Sequence, residues 1–247
     1  VCNSKIRLKQ KGNFLEVDGK FNFGQIVMTE VCKYLKRKKN INFVSVKNSA
    51  HIGRLSDYVE ELSKNGYVAL FFASGGGPNV APFPIQERLI GTNPFAFSFP
   101  INKKNPFVVD FSTASMAEGK INIALKSNKK LPHKAIINKF GKFSNKPTDL
   151  YSGGSIVPFG GHKGSAFSLV IEYLSGLSVS KNLSFKKNYR DGNNCFLIIF
   201  KKKFLSSEMS QLNFFEKKLK SSKKIKNYRE RIYLPGEIEK CNFLKSR

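Results

Sequence analysis

The sequence predicts an α/β protein in which helices pack against a sheet. Runs with helical apolar spacing alternate with short β-rich runs, so that strand, loop, helix and strand recur. Two runs, YVALFFAS (67–74) and CFLIIF (195–200), are apolar almost without a break, the pattern of strands covered on both faces. With 247 residues, of which 40% are hydrophobic, the chain is long enough to bury a sizeable core.

In chain order, Phe23 to Lys38 carries apolar residues at 23, 26, 27, 31, 34 and 35, the stripe of a helix. INFVSV (41–46) reads as a strand. A second stripe at Leu55, Tyr58, Val59 and Leu62 ends at Gly66, where a helix stop is expected. YVALFFAS is a buried strand, followed by the turn-rich GGGPNVAPFP (75–84). FAFSF (95–99) alternates like a half-exposed strand, and FVVDFS (107–112) reads as another buried strand. Met116 to Lys126 is expected to be helical. Residues 128–158, rich in Lys, Pro and Gly, read as a surface excursion. Ala166 to Leu177 is apolar nearly all round and predicts a buried helix. CFLIIF is a central strand, Glu208 to Lys220 an amphipathic helix, and RIYLPGE (231–237) a last strand and turn. No internal repeat is visible.

The net charge is +26, with 43 Lys and Arg against 17 Asp and Glu, and most of the excess is lysine. Lys, Asn, Ile and Phe are abundant together and Trp is absent, a bias that AT-rich codons produce. The clusters KRKK (36–39), KKK (201–203) and KKLKSSKKIK (217–226) are scattered and lysine-based, with Arg37 their one arginine and no interleaved aromatics, so nucleic acid is not the expected partner. No run of about 20 apolar residues exists, so no membrane span is expected. The N-terminus lacks the apolar region of a signal peptide. Four cysteines stand far apart with no C-x-x-C pair, which fits a reducing, cytoplasmic compartment. Three histidines show no metal-ligand spacing, so no metal is expected.

Four segments fall where open α/β folds build sites, past strand ends and at helix starts. In NSAHIGR (48–54), His51 could exchange protons near neutral pH and Arg54 could hold a carboxylate through paired hydrogen bonds. A capping histidine and a solvated arginine would look the same. In SGGGPNVAPFP, glycine after a buried strand lets a ligand approach the backbone closely, but the stretch is neither G-x-G-x-x-G nor a phosphate-cradling P-loop, and a plain loop would look the same. After GTNP (91–94), Asp110 in VVDFSTAS could accept from ribose hydroxyls, and Ser112, Thr113 and Ser115 could cap the following helix or hold a phosphate. PFGGHKGS (158–165) places Lys163 and flexible backbone at a helix start, which suits an anion.

HIGRLSDYVEELSKNG, GTNPFAFSFP, VVDFSTASMAEGKINIA, PTDLYSGGSIVPFGGHKG and LPGEIEK occur in the order found in the malate/L-lactate dehydrogenase family, and VDGKFNFGQ (17–25) fits too. The chain therefore resembles that family of NAD(P)-dependent oxidoreductases, which includes ureidoglycolate, sulfolactate and hydroxycarboxylate dehydrogenases, from about Val17 to Glu239. The resemblance implies the family's own non-Rossmann nucleotide-binding fold, with a mixed sheet and flanking helices. It implies a single unit over 1–247, with a cofactor-binding part near 67–180 and the remainder in 1–66 and 181–247. It implies a homodimer, NAD or NADP as cofactor, and a small 2-hydroxy or 2-keto acid as substrate. His51 becomes the proton acceptor. Cofactor contacts map to Ser74, Gly75, Asp110, Phe111, Ser112, Lys163, Gly236 and Glu237. Arg54 as a substrate-carboxylate contact rests on chemistry, not on the resemblance. Members carry an N-terminal helical segment before the VDG motif that is not found in Val1 to Leu15, and 180–193 reads as abbreviated. The competing expectation is a truncated, non-catalytic relic whose basic surface binds nucleic acid or another acidic partner.

Overall fold

The computed structural model describes residues 4–38, 40–101, 106–205, 209–227 and 231–238. Cys2, Glu208, Glu239, Lys240 and Cys241 of the patterns above lie outside these residues.

The chain opens with two strands that its sequence hid, β1 (Arg7–Lys11) and β2 (Phe14–Asp18), paired antiparallel across the two-residue turn Gly12-Asn13. The lysines of β1 mask its alternation because β1 is an edge strand and one face meets solvent. Helix α1 (Gly24–Arg37) follows and buries Val27, Met28, Val31 and Leu35, each worth roughly 1.5–3 kcal/mol of transfer free energy. Then come β3 (Phe43–Ser49), α2 (Ser56–Lys64), β4 (Tyr67–Gly75), β5 (Pro94–Phe99) and β6 (Phe107–Ser112). Further on are α3 (Glu118–Lys126), three two-residue strands, β7 (Ile136–Ile137), β8 (Phe143–Ser144) and β9 (Ser155–Ile156), and between the last two α4 (Pro147–Tyr151). Helix α5 (His162–Ile171) continues as a π-helical turn over Glu172–Leu177; β10 (Asn193–Lys201) and α6 (Met209–Ser221) follow.

The main sheet has seven strands in the order β1-β2-β3-β10-β4-β5-β6. Only β2 and β3 run parallel, joined by the crossover through α1, so the sheet is mixed as expected. The apolar runs of β4 and β10 fit their central positions, and β5 alternates as read. Phe71 and Phe72, successive and so on opposite faces, show the layering. Phe71 meets Tyr58 of α2 at 6.1 Å between ring centroids, whereas Phe72 meets Phe95, which in turn meets Phe167 of α5 at 5.4 Å. Helices α1 and α2 thus cover one face, and α5 with its π turn covers the other.

Four expectations are corrected. FVVDFS is not a buried strand: among the described residues β6 forms the other sheet edge, and Phe111 on it is exposed. Residues 128–158 are not a mere surface excursion. Leu131, Ala135, Ile136, Leu150 and Ile156 close a second core with Val80, Ile90 and Ile121, and β8-β7-β9 form a small sheet. The lysines between them concealed apolar residues too sparse to show a period. Ala166 to Leu177 is not buried all round: Leu169, Val170, Tyr173 and Leu177 face outward, Tyr173 at 64% exposure. The sheet covers only one side of the helix. RIYLPGE forms the expected turn but no strand among the described residues, with 231–234 in no ladder with a described strand.

A candidate active site at one end of the sheet

Strands β3, β4 and β6 end where β5 and β10 begin. Asn193 lies opposite both Ser49 and Gly75, and Pro94 lies opposite Ser112. The segments after Ser49, Gly75 and Ser112 therefore leave from one end of the sheet, as does the GTNP turn entering β5. Strands β3 and β6 are four spacings apart, about 19 Å. The 50–55 loop crosses that span: the backbone N–H of Ser56 donates to Asp110 Oδ2 at 2.7 Å. Asp110 thus caps the first turn of α2 from the far edge strand. Burial pushes its carboxyl up, against the Ser56 hydrogen bonds and the attraction of Arg54.

His51 is exposed at the head of this loop, with its Nδ1 accepting from the Gly53 N–H at 3.2 Å. The next residue is clamped. The Ile52 N–H donates to Asn193 Oδ1 (3.1 Å), and the Ile52 carbonyl accepts from Tyr58 Oη (2.5 Å). Beneath it, Gly24 leaves room for the backbone of 50–52 that a Cβ would overlap. Arg54 points both Nε (3.1 Å) and Nη2 (2.6 Å) at Asp57 Oδ1 one turn on. That bond holds the guanidinium pKa above its ordinary value. As the chain stands, the arginine is paired with its own helix rather than set out for a substrate carboxylate.

Ser74 is buried, and its carbonyl accepts from Asn193 Nδ2 at 3.2 Å. Asn193 therefore braces the His51 loop against the end of β4. At Gly75 (φ +104°) a Cβ would overlap the Gly192 carbonyl and sit 3.2 Å from the Tyr189 hydroxyl, so protein requires the glycine on that side. Tyr189 Oη also accepts from the amides of Gly76 (3.1 Å) and Gly192 (3.2 Å).

At the end of β6, the Ser112 hydroxyl donates to the Thr92 carbonyl (2.9 Å) and accepts from the Ala114 amide (3.0 Å). The FGG turn hangs from the next residue through Phe159 N–H to Thr113 O, 2.9 Å. The rings of Phe111 and Phe159 meet edge to face at 5.7 Å. This fixes the start of α5, with Lys163 exposed in its first turn. No side chain caps that turn and it holds no acidic residue, so its amides and positive dipole end stay available to an anion. Gly160 (φ +57°) and Gly161 (φ +61°) adopt left-handed backbone beside open space, whereas a Cβ at Gly164 would overlap Phe159 O.

Gly236 packs elsewhere, against Val108 of β6, two residues before Asp110 and about 7 Å along the strand. Glu237 is taken up by Lys220 (2.6 Å) and the Leu234 amide (3.0 Å), which against burial hold its carboxyl below the ordinary value. Two surface concavities are lined by other groups: one of about 560 Å³ beside Lys47, Asn48 and 177–182, the other by 85–88, Tyr151, Gly153 and Ser155. Among the described residues, no three His, Cys, Asp or Glu side chains gather as metal ligands.

The sequence model of the malate/L-lactate dehydrogenase family matches residues 3–247. The chain belongs to that family. Among its relatives is the L-sulfolactate dehydrogenase of Methanocaldococcus jannaschii, 32% identical over 240 residues, 93% of this chain and 68% of that protein. The malate dehydrogenase of Pyrococcus horikoshii is 30% identical over 94% of this chain and 69% of its own length. In three dimensions the M. jannaschii sulfolactate dehydrogenase superposes with a TM-score of 0.82 at 29% identity, covering 97% of this chain and 72% of that one. The Δ1-piperideine-2-carboxylate reductase of Pseudomonas syringae gives 0.82 at 25%, covering 98% and 74%. Membership in the malate/L-lactate dehydrogenase family makes the chain an oxidoreductase by descent and accounts for a mixed sheet without G-x-G-x-x-G.

Sequence reading missed Asn193, Tyr189, Asn93 and Glu172 in this family member. Asn193 and Asn194 precede an apolar strand, a hint of a strand start only. Buried polar residues follow no period, so their partners cannot be read along the chain.

Proposed function

We propose that this chain transfers a hydride between a nicotinamide dinucleotide and a small 2-hydroxy or 2-keto acid. The observation that carries the proposal is the convergence of the His51 loop, Ser112 and the uncapped α5 terminus with Lys163 at one end of the sheet. Relatives support the substrate class, being a sulfolactate dehydrogenase, malate dehydrogenases and an L-lactate dehydrogenase. The cofactor-binding part is taken as roughly 67–180.

The residues fit an anionic nucleotide at two places. The amides at the start of α5, with Lys163 and the open space beside Gly160 and Gly161, suit a phosphate. Asp110 can accept from a ribose hydroxyl with its second oxygen, Oδ1, since Oδ2 serves Ser56. Ser74, Gly75, Phe111, Gly236 and Glu237 are carried over from the resemblance as further cofactor contacts. The cofactor when bound supplies the hydride acceptor or donor. The chain holds the reactants in place and moves the proton.

His51 takes the proton of the substrate hydroxyl. In the neutral ring the free lone pair is on Nδ1, where the Gly53 amide holds it. The substrate therefore has to displace that amide, or the ring has to turn, before His51 acts as base. A second copy of the chain and NAD or NADP as cofactor are carried over from the resemblance as part of the same proposal, and a cytoplasmic setting from the spacing of the cysteines.

The test is nucleotide binding followed by turnover. NADH or NADPH at 100 times Kd should stabilise by about 2.7 kcal/mol and raise Tm by roughly 5–10 °C. Lys163→Ala should remove most of that rise. His51→Ala should keep it and lose turnover of 2-keto acids. No shift with either nucleotide at millimolar concentration refutes the proposal.

A further inference from the structure

Among the described residues, Glu172 is the one buried Asp, Glu, Lys or Arg side chain, at 4% exposure. It is no surface charge folded under. It stands where α5 gives way to the π turn, a distortion of the kind found at functional sites. Gly176 has no side chain in the space that the carboxylate fills: a Cβ there would overlap Glu172 Oε1 and lie 3.1 Å from Ser74 Oγ.

From this seat Glu172 Oε2 accepts from Asn93 Nδ2 at 2.9 Å. Asn93 is wholly buried, with its other amide hydrogen on the Ser168 carbonyl at 3.2 Å and a left-handed backbone (φ +36°). The peptide groups around it do the holding. The Asn93 carbonyl accepts from Thr113 Oγ1 (2.9 Å), and the Thr92 carbonyl accepts from the Thr113 amide (3.1 Å) and the Ser112 hydroxyl (2.9 Å). Thr113 O in turn accepts from the Phe159 amide, on which the turn before Lys163 hangs. Asn93 Oδ1 and Ser168 Oγ lie buried with no protein partner, so the polar cluster is not satisfied by its own members.

We infer that Glu172 is a positioning residue: through Asn93 and Thr113 it sets the relative placement of the Ser112 turn and the Phe159–Lys163 anion site. The inference rests on the proposed nucleotide-binding role of that site. A buried carboxylate costs free energy that a leucine would not, and the amide that donates to it, Asn93 Nδ2, lies on the turn that joins β5 to the site.

The experiment has a ligand-free arm and a ligand arm. Hydrogen exchange of the Thr113, Ser115 and Phe159 amides should speed at least tenfold in Glu172→Ala, with β10 amides unchanged, and return to wild-type rates in Glu172→Gln, which keeps an acceptor oxygen. NADH titration should show Kd raised at least fivefold in Glu172→Ala and within twofold of wild type in Glu172→Gln. Unchanged exchange overturns the inference whatever the nucleotide does. Faster exchange with unchanged Kd overturns the link to the site. If both variants weaken binding equally, the acceptor geometry is not the cause and the inference fails. If wild type binds neither NADH nor NADPH, the proposed function fails, and this inference falls with it. Should Glu172→Ala not fold, Thr113→Val cuts the same chain at its far end. It should raise Kd likewise; an unchanged Kd overturns the inference.

Discussion

Replacing Asn193 by alanine should destabilise the fold by about 2–4 kcal/mol, and the figure follows from what its amide touches. The side chain is 6% exposed and makes two hydrogen bonds, accepting from the Ile52 amide and donating to the Ser74 carbonyl. A net hydrogen bond contributes about 0.5–1.5 kcal/mol, and a buried donor left unpaired costs about 1–3 kcal/mol. Ile52 is buried, so its N–H cannot turn to water without opening the loop. For a chain of this length 1 kcal/mol moves Tm by roughly 2–4 °C, so a fall of about 5–15 °C is expected. Urea unfolding followed by far-UV circular dichroism measures the free energy, with unchanged m required for a clean reading. Asn193→Asp separates the two bonds: it keeps the acceptor for Ile52 but sets a carboxylate against the Ser74 carbonyl, so near neutral pH it should be at least as destabilising as alanine. Turnover should fall in both, because the His51 loop loses its brace. An Asn193→Ala protein within 0.5 kcal/mol of wild type would show that the loop is held by something else.

Tyr189→Phe should cost about 1–3 kcal/mol, since its hydroxyl serves the amides of Gly76 and Gly192, and a drop in urea midpoint measures it. Gly161→Ala should cost about 1–3 kcal/mol for its backbone alone, since φ +61° with ψ −124° is a conformation that side chains rarely adopt, although its Cβ would meet open space; Gly164→Ala should instead shift the turn and weaken NADH binding, read by fluorescence titration. Burial raises the Glu172 pKa, with Asn93 offsetting part of it. A carboxyl raised in the folded state opposes folding once pH passes its unfolded value, near 4.3, and the opposition grows until the folded pKa is reached. The stability of Glu172→Gln relative to wild type should therefore rise from pH 4 upward; a constant difference in unfolding free energy across pH 4–8 would contradict this.

The central strands were legible because β4 and β10 are covered on both faces, and such strands need apolar residues at nearly every position. Helices α1 and α2 were legible for a related reason: one face of each meets the sheet and repeats at the helical period. The β1-β2 hairpin and the second core were not legible. Their apolar residues are few and set among lysines, and only long-range pairing gives them neighbours.

Among site residues, chemistry at element ends brought His51, Asp110, Ser112 and Lys163 forward, because glycines, hydroxyls and charges there are local signals, and the order of the motifs tied them to one family. The fold decided what each of them touches. It turned Arg54 onto Asp57, gave one oxygen of Asp110 to Ser56, closed Gly75 against Gly192, and set Glu172 behind Asn93. A hydrogen bond between residues 54 or 79 positions apart leaves no trace in the spacing of either, because it depends on strand order and register rather than on neighbours along the chain.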